Sequence, residues 1–154
     1  MFGWRWRRYV RLLEEVDGLC FEQKAGIKLV LWGKPAYSNE AKIPGDHLGR
    51  EWYIVPIFCN YSDSNILRFV MHEVRHRIQW NYPVSLLTIE DAPAELQDEL
   101  AAELQDIKSP REIDAKIIEY LAFSYSFSSE LKLKSFLLGR NQTQGELEGS
   151  FQIT

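Results

Sequence analysis

A chain of 154 residues that is 45% hydrophobic and 13% aromatic is long enough to bury a core and too apolar to be disordered. Its net charge of -4 argues against a general nucleic-acid binder, and no apolar run reaches signal-peptide or membrane-spanning length. Two cysteines, Cys20 and Cys59, permit one disulfide without requiring an oxidising compartment, so a cytoplasmic protein of one domain over 1–154 is the expectation.

Trp4 to Val16 reads as an amphipathic helix, with Trp6, Tyr9, Val10, Leu13 and Val16 on one stripe, arginines around it and Asp17-Gly18 as its end. Lys24 to Trp32 contains the aliphatic strand GIKLVLW, closed by Gly33-Lys34-Pro35. A weaker strand follows at Ala36 to Ile43 and a strong one at Glu51 to Phe58, where Pro56 points to an edge or a bulge. Antiparallel pairing of these two or three strands is expected. Together they imply an α+β fold: a small antiparallel or mixed sheet packed on the next helix and on further helices.

That next helix is Ser64 to Trp80, SNILRFVMHEVRHRIQW. Ile66, Leu67, Phe69, Val70, Met71, Val74 and Ile78 form a broad apolar band at helical spacing, leaving Arg68, Arg75 and Gln79 for the remaining surface. Ser62, Asp63 and Ser64 offer N-caps, and Asn81-Tyr82-Pro83 stops the run. Its HEVRH places His72 and His76 one turn apart on one face, where both imidazoles can reach one ion at about 2.0–2.1 Å. Glu73 projects beside them, able to take a proton from a water that the ion activates. Those spacings are the HExxH logic of zinc peptidases.

Beyond Pro83 an apolar piece, Val84 to Ile89, leads into EDAPAELQDELAAELQDI, a surface helix with Leu96, Leu100, Leu104 and Ile107 inward and an acidic outer face. Lys108-Ser109-Pro110 breaks the chain, and Arg111 to Phe127 starts another helix with Ser109 as N-cap. A short helix through Leu138 precedes a polar, glycine-containing tail, about residues 140–154, expected to be loose.

Catalytic zinc commonly takes three protein ligands, and no histidine follows His76. The third donor is therefore His47 upstream or a carboxylate downstream. Glu112 is the choice, with Ala115 at i+3 small enough for two helices to approach; Asp114 and Glu119 are reserves. The competing role for Glu112 is a capping box with Ser109.

HEVRH followed by a glutamate in E-x-x-A on a later helix resembles the gluzincin class of metallopeptidases. It is similar to small ImmA/IrrE-type enzymes and to short bacterial and phage proteins with HE-x-R-H-x-x-Q, matched by His72, Glu73, Arg75, His76 and Gln79. The resemblance implies a zincin-like fold with Zn2+ held by His72, His76 and Glu112, and Glu73 as general base. Many members carry Asp or Asn just after that alanine to orient a zinc-bound histidine, whereas this chain has Lys116. Arg75 and Arg77 are likewise charged where the common motif helix prefers uncharged residues.

The implied activity is hydrolysis of a peptide bond in a protein or peptide substrate, whose backbone pairs with the edge strand at Ala36–Ile43 or Glu51–Phe58. Tyr82, Tyr120, Tyr125 and Arg75 are candidate donors to the developing oxyanion. The rival function is a non-catalytic binding module of the same fold with structural or absent metal. No membrane role is expected, nucleic acid is an unlikely partner, and the sequence sets no oligomeric state.

Overall fold

The computed structural model describes residues 2–39, 51–58, 61–124 and 127–139. Helix α1 runs from Phe2 to Cys20, past the Asp17-Gly18 pair expected to end it. Asp17 is buried, and its carboxylate accepts from Arg77 Nη1 at 2.7 Å and Tyr53 Oη at 2.6 Å. A side chain occupied by tertiary partners does not turn its own backbone, so the helix continues. Tyr9, Leu13 and Val16 form its buried stripe.

The strands are β1 (Gly26–Val30), β2 (Ala36–Ser38) and β3 (Trp52–Pro56), in the order β1-β3-β2. The sheet is mixed: β1 pairs with β3 in parallel, correcting the antiparallel expectation, while β2 pairs with β3 antiparallel. Pro56 is therefore on the central strand, not an edge. Ile57 donates to Val30 in β1, so strand alternation turns the Pro56 nitrogen toward the β2 side. There β2 pairing has already ended, at Ala36 opposite Ile54. The missing donor costs no ladder bond. Gly26 lies under Trp52, and a Cβ there would clash with the ring, so this strand pair needs a glycine.

Helix α2 (Asp63–Asn81) carries the motif and packs most extensively on α4 (Pro110–Ser124). Between them a 3-10 turn at Ile89–Asp91 leads to α3 (Ala94–Leu104), which buries Leu100 and Leu104, and α5 (Glu130–Leu138) closes the other side. Val84 to Thr88 has no regular structure. One apolar core joins α1, the sheet, α2 and α5; a second, around Leu100, Leu104 and Ile117, lies between α3 and α4. Five α-helices and a three-stranded sheet make an α+β architecture among the described residues. None of these helices is long and apolar enough to cross a membrane. Cys20 is buried at the end of α1; Cys59 and the 140–154 tail lie outside the described residues.

Arg75 was expected on the surface of α2. It is instead fully buried, with Nε and Nη2 on Asp114 of α4 at 2.7 and 2.9 Å, and with the carbonyls of Ser85 and Leu137 as further acceptors. One guanidinium thus ties α2 to α4, to the irregular 84–88 segment and to α5. Arg77 does the same on the opposite side, through Asp17, Glu51 and the Gln23 carbonyl. Removing one partner of a buried pair strands the other charge. Asp114→Ala should therefore lower unfolding free energy by about 3–5 kcal/mol in urea titration; a change under about 1 kcal/mol would show that this pair is no brace.

Candidate metal centre

Two helices supply the centre. Contacts between α2 and α4 run in opposite directions, from Gln79 with Arg111 to His72 with Glu119, so the helices are antiparallel. His72 and His76 leave α2 on the face turned to α4, and Glu112 on the first turn of α4 reaches both. Its Oε1 lies 3.0 Å from His72 Nε2 and its Oε2 2.9 Å from His76 Nε2, while the two imidazole nitrogens are 3.2 Å apart. The Glu112 backbone N–H meanwhile donates to Ser109 Oγ at 3.4 Å. Its side chain serves the imidazoles and its main chain serves the cap, which resolves the two roles weighed for it.

The far nitrogens of both rings face acceptors. His76 Nδ1 is 3.0 Å from Gln79 Oε1. His72 Nδ1 is 3.3 Å from Glu119 Oε1, within charge contact but without hydrogen-bond alignment. Both Nε2 atoms and the Glu112 carboxylate converge on one point. Two ligands at about 2.0–2.1 Å from a tetrahedral ion stand about 3.3 Å apart. The observed separations are close to that figure, and three acceptors so close need a cation or a shared proton between them. The donor set therefore fits a divalent ion, and His72, His76 and Glu112 form a group able to hold one.

The other candidates lie elsewhere. Asp114 faces away from the imidazoles and is saturated by Arg75, Gln79 and the Leu87 N–H. Glu119 touches His72 from behind and is no member of the ligand group. His47 lies outside the described residues. Among the oxyanion candidates, Arg75 is bound to Asp114, Tyr82 donates to the Cys20 carbonyl, and Tyr120 sits beneath Arg68, its ring centroid 5.6 Å away. Tyr125 is outside the described residues.

Two partners of the rings were not read as such from the sequence, although their spacing shows it. Glu119 is seven residues past Glu112, two turns on along the same face of α4, and Gln79 is one turn past His76. Glu119 lies against His72, and Lys116 Nζ lies 3.5 Å from its Oε2.

The centre opens into a cleft of about 560 Å³. Phe69 and Trp80 line it one turn before and one turn after the histidines, Lys116 lines the α4 side, and Lys34 to Tyr37 form the opposite wall. Glu73 lines the same cleft, almost buried, with Oε1 4.0 Å from His72 Nε2. Compared with known proteins, the chain matches no family model, no curated protein and no solved structure.

Electrostatics follow from crowding. Burial pushes the Glu73 carboxyl up to about 7 against the pull of the imidazoles. Burial opposes charge on His72 too, but Glu112, Glu119 and Glu73 override it and push the ring up to about 9. Glu112, despite burial, is held well below the usual carboxylate range by both histidines. A histidine raised on folding contributes stability that is complete below about 6.5 and is lost as pH rises through its folded value. In chelator, the melting temperature should thus fall as pH goes from about 6.5 to about 9, and His72→Gln should flatten that slope. An unchanged slope in His72→Gln would remove this ring as its source.

Proposed function

We propose that this chain is a zinc-dependent metallopeptidase of zincin-like fold and gluzincin type. The observation that carries the reading is the convergence of His72 Nε2, His76 Nε2 and the Glu112 carboxylate within 3.2 Å of one another, at the mouth of a cleft that also holds Glu73. Two imidazoles and one carboxylate suit zinc and leave a coordination position open.

When bound, the ion supplies Lewis-acid chemistry, polarising a peptide carbonyl and bringing the pKa of water toward about 7. Glu73 lines the cleft beside His72, where it can take a proton from water at the ion. It takes that proton as water attacks the carbonyl carbon, and passes it to the leaving amine.

The substrate backbone has a template. Only β2 of the two suggested strands is an edge, and its residues Ala36 and Tyr37 line the cleft. In β3 it is Trp52 and Ile54 whose main-chain groups face β2, opposite Ser38 and Ala36. Tyr37 N–H and C=O therefore point away from β3, to a side where no strand pairs among the described residues and an extended peptide can. Phe69 and Trp80 then flank its side chains.

Glu73→Gln should keep one zinc per chain, by metal analysis after dialysis, and lower cleavage of a peptide library by about 10²–10⁴-fold. His76→Ala should lose both zinc and cleavage. Full zinc content in His76→Ala, or undiminished cleavage in Glu73→Gln, would overturn the assignment.

A further inference from the structure

Gln79 lies beside His76, and its surroundings leave it one orientation. Its Nε2 is 2.6 Å from Asp114 Oδ2 and 2.9 Å from the Arg111 carbonyl, both acceptors. Reversing the amide would set its oxygen against those two acceptors, so both N–H groups face them and Oε1 is left for His76 Nδ1, 3.0 Å away. Asp114 cannot yield, because Arg75 Nε and Nη2 and the Leu87 N–H hold both its oxygens.

We propose that Gln79 is a positioning residue: clamped by the buried Arg75–Asp114 pair, it fixes the proton of His76 on Nδ1, so that the Nε2 lone pair faces His72 and Glu112. A competing acceptor makes this necessary. Glu112 Oε2 stands 2.9 Å from His76 Nε2 and, alone, favours a proton there, which blocks ligation. Only a side chain with a donor end for Asp114 and an acceptor end for Nδ1 opposes it, and a terminal amide has both. The arginine and glutamine of HEVRHRIQ thereby act through one carboxylate, 39 residues from Arg75 and 35 from Gln79. His72 has a different neighbour at Nδ1, the Glu119 carboxylate 3.3 Å away. The tautomer does not depend on an ion, while its consequence for affinity rests on the zinc reading above.

The test uses the full chain, as wild type and as Gln79→Met, which keeps length and removes both polar ends. In chelator, nitrogen-15 NMR of the imidazoles should find Nδ1 of His76 protonated in wild type, and the proton moved to Nε2 in Gln79→Met. Competition with a chromophoric chelator should find zinc affinity 10–100-fold weaker in Gln79→Met, the range typical for loss of such a ligand-orienting contact. A bare Nδ1 on His76 in the wild type overturns the proposal. So does a Gln79→Met protein with unchanged imidazole signals and zinc affinity. If wild type takes no zinc, the peptidase reading fails by itself and the imidazole spectra decide the tautomer alone.

Discussion

The fold and the candidate centre both depend on a buried ion pair that touches neither imidazole. Arg75 and Asp114 are each fully buried, and their two-pronged contact fixes α2 against α4 in rotation and along their length. Only with that register set does Glu112, at the opposite side of the first turn of α4, arrive between His72 and His76. Burying two charges is expensive, and a hydrophobic pair of the same volume is often as stable. What the ion pair adds is direction. Its donors and acceptors also order the irregular segment at 84–88 and the end of α5, where Gly139 sits 3.2 Å from Arg75 Nη1 at its would-be Cβ and ends the helix with a positive φ.

A second pole of buried charge does related work for the sheet. Arg77 joins Asp17 of α1 to Glu51 at the start of β3, and Tyr53 completes the group from within the strand. The motif helix is thus braced by an arginine on each flank, leaving its third face, with His72, Glu73 and His76, toward the cleft. This arrangement explains why the helix that carries HEVRH has charged residues at positions that a simple apolar pattern would fill. Both arginines are internal ties.

Much of this was legible in the sequence where the signal is local. Periodicity located α2 within about one turn, the i and i+4 spacing put both histidines on one face, and the place of Glu112 at the start of the next long helix, with Ala115 at i+3, made it the first choice ahead of His47, Asp114 and Glu119. What was not legible depends on partners distant in the chain. Asp17 reads as a helix end until Arg77, 60 residues on, occupies its carboxylate. Arg75 reads as solvated until Asp114 is placed beside it. The parallel pairing of β1 with β3 was hidden because β2, between them in sequence, crosses to the far side of β3. Pro56 misled for a related reason: its effect depends on how far the neighbouring strand extends, which no residue in β3 reports.

His72, His76 and Glu112, the groups beside the two rings, the buried Glu73 and strand β2 meet at one cleft, and the proposed hydrolysis rests on that meeting. The most direct measurement of that claim is a crystal soaked in zinc, with diffraction recorded on both sides of the zinc absorption edge. The account expects one anomalous peak about 2.0–2.1 Å from His72 Nε2, His76 Nε2 and a Glu112 oxygen, with a fourth position left to solvent. A peak elsewhere, or none at that point under saturating zinc, would contradict it.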